Sequence, residues 1–169
     1  MKNVAILLNE LKEAGVIADY AIFGAIAQMR YTEPVATLDA DVLVILPEPS
    51  RIDSLSGIYK FCESRGYTPH GEAILVGRWP VQFIPAFSAL TSEAVSEGEA
   101  GEIEGVTVRV VSAVYLAVIA LSVGRAKDHL RIVSLLESGA VTRDSIQALA
   151  DRHGLADRWT SFRRRYLDD

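Results

Sequence analysis

The chain has 169 residues, half of them apolar and 23% charged; this excludes general disorder and suits one domain, or one domain with a small helical appendage. Its 17 Lys and Arg against 22 Asp and Glu leave a net charge of −5, the opposite of a protein that coats nucleic acid, so any nucleic-acid contact is expected to be local. The single cysteine, Cys62, permits no internal disulfide and fits a reducing compartment. Lys2, Asn9, Glu10 and Lys12 fall on a helical period at the start, which does not suit a secretion signal. The most apolar stretch, 106–123, is interrupted by Arg109 and is too short to span a bilayer. The expected location is the cytoplasm, with no membrane partner.

Apolar Val4, Leu7, Leu8 and Leu11 follow the 3.6-residue period and predict an amphipathic helix ending near Gly15. Residues 20–23 read as a short buried strand that stops at Gly24, residues 25–29 as a short helix, and Pro34 as a break. The unbroken apolar run at 41–46 predicts the central strand of a sheet, beside 20–23 and 79–84. Pro47 and Pro49 end it, and Ser50 is placed to cap a helix over 51–64. Residues 73–76 and 79–84, joined through Gly77-Arg78, predict a hairpin. Glu93, Glu97, Glu99, Glu102 and Glu104 fall in a stretch without Lys or Arg, read as a solvated loop with a short helix. A strand follows at 106–110, and then only helices, at 112–123, 127–138, 142–153 and toward Tyr166. Strands mixed with helices and then helices alone predict an α+β fold: a mixed sheet flanked by helices over 1–110, and a C-terminal helical subdomain over 111–169.

Gly24 stands where a strand hands over to a helix. A residue without a Cβ there lets a phosphate approach the backbone, and the following N–H groups favour an anion; packing alone also uses such glycines. Asp39 and Asp41, two apart at the start of a strand, project from one face, where their mutual repulsion is relieved by a divalent cation such as Mg²⁺. An isolated Asp-x-Asp reads first as a turn cap followed by an exposed strand-edge acid. A glycine after one strand together with Asp-x-Asp opening the next favours a metal–phosphate site.

Phe23-Gly24-Ala25-Ile26-Ala27, Pro34-Val35-Ala36-Thr37-Leu38-Asp39-Ala40-Asp41 and Gly124-Arg125-Ala126-Lys127-Asp128 together resemble the DNA polymerase β-like nucleotidyltransferase superfamily, with the AbiEii-type toxin nucleotidyltransferases nearest in pattern. The resemblance spans about residues 19–136. It implies the nucleotidyltransferase fold and transfer of a nucleoside monophosphate from an Mg²⁺-bound nucleoside triphosphate to a hydroxyl of an acceptor such as RNA or protein. It also implies a toxin-like role with an antitoxin partner. Within it, Asp39 and Asp41 would hold the metal in a site of up to two ions. Gly24 and Ala25 would hold phosphate through backbone N–H groups, with Thr37, Arg125, Lys127 and Asp128 on the substrate.

The pattern is not complete. The third acid of the family falls on the strand 81–84, where alternation points Gln82 away from Val81 and Phe83; an amide oxygen can coordinate but cannot act as a base. Glu72, ahead of the hairpin, is an alternative third carboxylate or an exposed turn residue. Ala25 stands for Gly or Ser, Val35 for Arg, Ala120 for Lys and Arg131 for a second acid. Lys127 and Arg125 either meet phosphate or simply begin a helix whose dipole favours Asp128. Arg163-Arg164-Arg165, near Arg158, either touches RNA or an acidic partner or belongs to a solvated terminal helix. His70, His129 and His153 have no transition-metal spacing, and Cys62, Trp79 and Tyr115 read as packing. Two readings stand: a magnesium-dependent transferase, or a degenerate relative that keeps the fold for nucleotide binding or protein interaction.

Overall fold

The computed structural model describes residues 1–48 and 54–168. In chain order the elements are α1 (Lys2–Glu13), β1 (Asp19–Ile22), α2 (Gly24–Gln28), β2 (Ala40–Ile45), α3 (Ser56–Ser64), β3 (Thr68–His70), β4 (Ala73–Val76) and β5 (Trp79–Pro85). They continue with α4 (Ala89–Ser96), β6 (Glu99–Ile103), β7 (Val106–Val110), α5 (Ala113–Val123), α6 (Ala126–Glu137), α7 (Arg143–Arg152) and α8 (Ala156–Tyr166). Two compact units result: Met1–Ile26 with Ala36–Val111, and Ala27–Val35 with Ser112–Asp169.

The first unit is built on a seven-stranded sheet in the order β3-β4-β5-β2-β1-β7-β6. Strand β2 lies in the middle because both its faces are apolar: Ala40, Val42, Leu43 and Val44 are all buried. It pairs antiparallel with β1 and parallel with β5, which makes the sheet mixed. Strands β4 and β5 form the hairpin expected at Gly77-Arg78. Helix α1 buries Val4, Ala5, Leu7, Leu8 and Leu11, the stripe its period dictates. It is pinned to β1 where the Tyr20 hydroxyl donates to Asn9 Oδ1 at 2.7 Å, and burial pushes that phenol up to about 12. Helix α4 packs on β1 and β2.

The acidic segment departs from expectation. After α4 it is not a loop: Glu99–Ile103 pairs with β7 along its whole length, from Glu99 opposite Val110 to Ile103 opposite Val106. An edge strand gains its hydrogen bonds from one neighbour and leaves its side chains in water, so glutamates are compatible with it. Strand β3, at the opposite edge, is equally exposed and carries Pro69. The Ser50 cap and residues 51–53 of the helix expected over 51–64 lie outside the described residues; the helix itself begins at Ser56, after a turn at 54–55.

The second unit is helical, with α5 at its centre. Every residue of α5 from Tyr115 to Leu121 is buried, as a helix apolar on all sides requires. Helices α6, α7 and α8 pack on it, and Trp159 of α8 is fully buried. Gly124, at φ 75, ends α5 in the left-handed conformation that a Cβ would disfavour. Thr142 caps α7 by accepting from the Ser145 N–H at 3.1 Å. No helix of the described residues is long and apolar enough to cross a membrane.

Candidate active site

The centre of the sheet places Gly24 directly on Asp41. The Phe23 N–H donates to the Asp41 carbonyl at 2.9 Å, closing β1 onto β2 one residue before the chain turns. Gly24 then adopts φ +64, and a Cβ there would collide with the Asp41 carboxylate, with its Cγ at 3.0 Å and its Cβ at 3.1 Å. Glycine is therefore required twice, by the backbone and by the contact. Gly24→Ala should cost at least about 1–2 kcal/mol from the left-handed backbone alone and displace the Asp41 carboxylate. Chemical denaturation measures the first effect. A variant as stable as the parent would mean that the turn relaxes freely.

Gln82 is the direct register partner of Asp41 across the parallel β2–β5 pair. Neighbours in register share a face of the sheet, so amide and carboxylate project to the same side, opposite buried Val81 and Phe83. Asp39, exposed, precedes β2 by one residue. The Thr37 hydroxyl lies 3.0 Å from both Oδ1 and the backbone carbonyl oxygen of Asp39, and so fixes this carboxylate against its own turn. Ala25 is the second residue of α2, following Gly24. Glu72 is exposed in the β3–β4 turn, its carbonyl accepting from the Tyr59 hydroxyl at 3.1 Å.

The donor set fits a hard cation. Asp41 and Gln82 lie side by side and Asp39 two residues before Asp41; their oxygen donors would suit Mg²⁺, which takes one or two carboxylates and completes its shell with water and substrate phosphate. Among the described residues no cluster of three or more His, Cys, Asp and Glu forms a metal site. A cation here would lean on its substrate for part of its coordination.

Arg125, Lys127 and Asp128 belong to the helical unit, at the start of α6. Lys127 is exposed in the first turn. Asp128 is only 1% exposed, and its Oδ2 accepts from Arg125 Nε at 2.7 Å and from the Arg125 backbone N–H at 3.1 Å. Arg131 adds Nη1 at 3.8 Å from Asp128 Oδ1, and its own Nε donates to Gln28 Oε1 at 3.0 Å. Burial pushes the Asp128 carboxyl up, but the hydrogen bonds and charge of Arg125, with the charge of Arg131, outweigh it and hold the carboxyl below its usual value. Arg131, which stands for an acid in the family pattern, is thus the second cation facing this carboxylate. Its spacing of three residues from Asp128 is a local signal, but the contact that holds it to Gln28, 103 residues away, has none. Ala120 is 1% exposed in the core of α5, where a lysine would have to bury its charge.

No family model and no curated protein matches this sequence. Among solved structures, an antigenic nucleotidyltransferase-like protein from Paracoccidioides brasiliensis superposes with TM-score 0.55 at 13% identity, over 93% of this chain and 90% of that one. The fold is that of the nucleotidyltransferases. The solution structure of the antibiotic-resistance factor ANT(2'')-Ia agrees, with TM-score 0.54 at 14% identity over 98% of this chain and 96% of that one. At such identities the likeness concerns the nucleotidyltransferase fold alone.

Proposed function

We propose that the protein transfers a nucleoside monophosphate from a nucleoside triphosphate to a hydroxyl acceptor, with the sheet region 1–110 carrying the chemistry and 111–169 acting as a helical subdomain. The observation that carries this reading is the packing of the Gly24 turn on Asp41, with Gln82 beside Asp41 on the next strand. Asp39 and Asp41 would hold Mg²⁺, with Gln82 as a neutral third donor. The N–H groups at Gly24 and Ala25 would face phosphate, and Thr37 would set the angle of Asp39. The resemblance also assigns Lys127, Arg125 and Asp128 to the substrate; within the helical unit Arg125 and Asp128 order the start of the helix that carries Lys127.

In the transfer an acceptor oxygen bonds to the α-phosphorus, the bond to the β-phosphate bridging oxygen breaks, and pyrophosphate leaves. The acceptor proton passes to solvent, since Gln82 cannot take it. Bound Mg²⁺ would supply neutralisation of the phosphate charge. The AbiEii-type pattern extends the proposal to a toxin-like role with an RNA or protein acceptor and an antitoxin partner. Calorimetric titration with each nucleoside triphosphate, with and without Mg²⁺, tests the reading. Saturable binding that needs Mg²⁺ supports it, and none with any triphosphate overturns it.

A second reading is favoured by Gln82 itself. An amide in the slot where the family has an acid fits a degenerate relative that binds nucleotide or a protein without turnover. Gln82→Asp separates the two, since it restores a third carboxylate beside Asp41. We expect tighter Mg²⁺–triphosphate binding or a gain in transfer. A variant that binds no better than the parent would show that position 82 is not the third site.

A further inference from the structure

The helical unit contains a cavity that the reading above leaves unused. It encloses about 370 Å³ and is lined by residues of α8 together with Leu121, Gly124 and His129. A volume of this order falls at the small-molecule end of ligand pockets, about 300–1,000 Å³. Asp157, Arg158, Ser161, Phe162, Arg165 and Tyr166 follow the i, i+3, i+4, i+7 spacing and so share one face of α8.

Two chemistries meet there. The first is a cluster of rings: His129, Phe162 and Tyr166 contact one another pairwise, with centroids 4.9–5.6 Å apart. His129 Nδ1 lies 3.0 Å from the Tyr166 hydroxyl, which fixes both rings, yet Tyr166 remains 41% exposed. The second is a pair of guanidinium groups. Arg158 Nη1 donates to the Ser122 carbonyl at 2.5 Å, which anchors that side chain at the rim. The Arg165 guanidinium lies over the Tyr166 ring at 5.3 Å. Among the described residues Arg165 has no ion pair, so its N–H edges remain for a ligand. The two arginines stand seven residues apart, a rise of about 10 Å along the helix. That is too far to grip one carboxylate together, and it matches a ligand whose flat ring and anionic group are separated by a spacer.

We propose that this cavity binds a nucleoside monophosphate unit, its base against the ring cluster where Arg165 sits and its phosphate on Arg158. Aromatic faces take any base by stacking, and arginine edges take phosphate in bidentate fashion. Asp157, the one acid at the rim, accepts from sugar hydroxyls or an exocyclic amine. The unit comes from one of two sources, a free mononucleotide or the phosphorylated end of an RNA strand. The site does not depend on the metal-and-phosphate reading of the sheet.

The test titrates the full chain without Mg²⁺ against AMP, UMP and a 5′-phosphorylated trinucleotide, following the change in tryptophan emission, to which Trp159 responds because it stacks on Phe162 at 5.6 Å while Trp79 lies in the other unit. Arg165→Ala and Tyr166→Ala should each weaken binding at least fivefold, with melting temperature checked in parallel. Asp39→Asn/Asp41→Asn should leave it unchanged. Equal affinity for mononucleotide and trinucleotide identifies the free ligand, and a tighter trinucleotide identifies a strand end. Binding that is lost in Asp39→Asn/Asp41→Asn but kept in Arg165→Ala and Tyr166→Ala overturns the proposal. So does the absence of saturation by any probe at millimolar concentration.

Discussion

Replacing Asp39 and Asp41 together by Asn is expected to weaken Mg²⁺–triphosphate binding by well over tenfold while leaving the fold intact. The binding loss follows from removing two charge-assisted contacts, each about 1.5–3 kcal/mol. Stability should hold or rise, because two nearby carboxylates repel when no cation lies between them. An asparagine in place of Asp39 would still accept from Thr37, whose hydroxyl sits 3.0 Å from Asp39 Oδ1, so the turn before β2 keeps its hydrogen bond. The Phe23 contact to position 41 is through backbone and does not change. Melting temperature and nucleotide affinity should therefore move in opposite directions, as in sites that trade stability for function. Calorimetry with Mg²⁺–triphosphate, paired with thermal melts, reads both. A variant with unaltered affinity would remove both aspartates from the site.

Asp128→Ala should destabilise the helical unit by about 3 kcal/mol, the lower end for a broken buried ion pair. The lower end applies because Arg125 is 60% exposed and partly screened, whereas Arg131 is only 13% exposed and would lose an anion in its surroundings. The loss includes the capping contact from the Arg125 N–H to Asp128. Asp128→Asn keeps an acceptor for that N–H and should cost less. The same carboxylate gives a pH signature. Its native pKa lies below the ordinary value of 3.8, so its contribution is fully present above that value. It is lost as pH falls through the lowered native pKa. Urea midpoints from pH 6 down to pH 3 should fall more steeply for the parent than for Asp128→Asn. Parallel slopes would show that the pair carries no such coupling.

Short-range pattern made the middle of the sheet readable and long-range pairing hid its edges. The apolar run of β2 can only be satisfied between two neighbours, so its central place follows from its own residues. The alternation Val81-Gln82-Phe83 likewise tells which side chain leaves the core. Strands β3 and β6 have no such pattern. One carries a proline and the other glutamates, and each exists because β4 or β7 offers it a ladder. Their formation is a property of the partner strand. The burial of Asp128 was hidden for a related reason. An acid in the first turn of a helix is ordinarily a solvated dipole partner; its pairs with Arg125 and Arg131, three residues away on either side, are local, but its burial depends on packing within the helical unit, where Gln28 holds Arg131 from 103 residues away. Gly24 was legible as a turn, but its contact with Asp41 depends on how β1 and β2 pair.

The one thiol of the chain has an experimental consequence. Cys62 lies in α3, is 1% exposed, and has its thiol pushed up to about 11 by burial, so in the native protein it is inert toward alkylating reagents at neutral pH. Labelling can proceed only when the sheet-bearing unit opens. The helical unit contains no cysteine but holds Trp159, and the other tryptophan, Trp79, lies in the sheet-bearing unit, so a Trp79→Phe chain keeps an emission that reports the helical unit alone. A single sample of that variant followed by both signals is a two-channel clock, timing the opening of the two units separately.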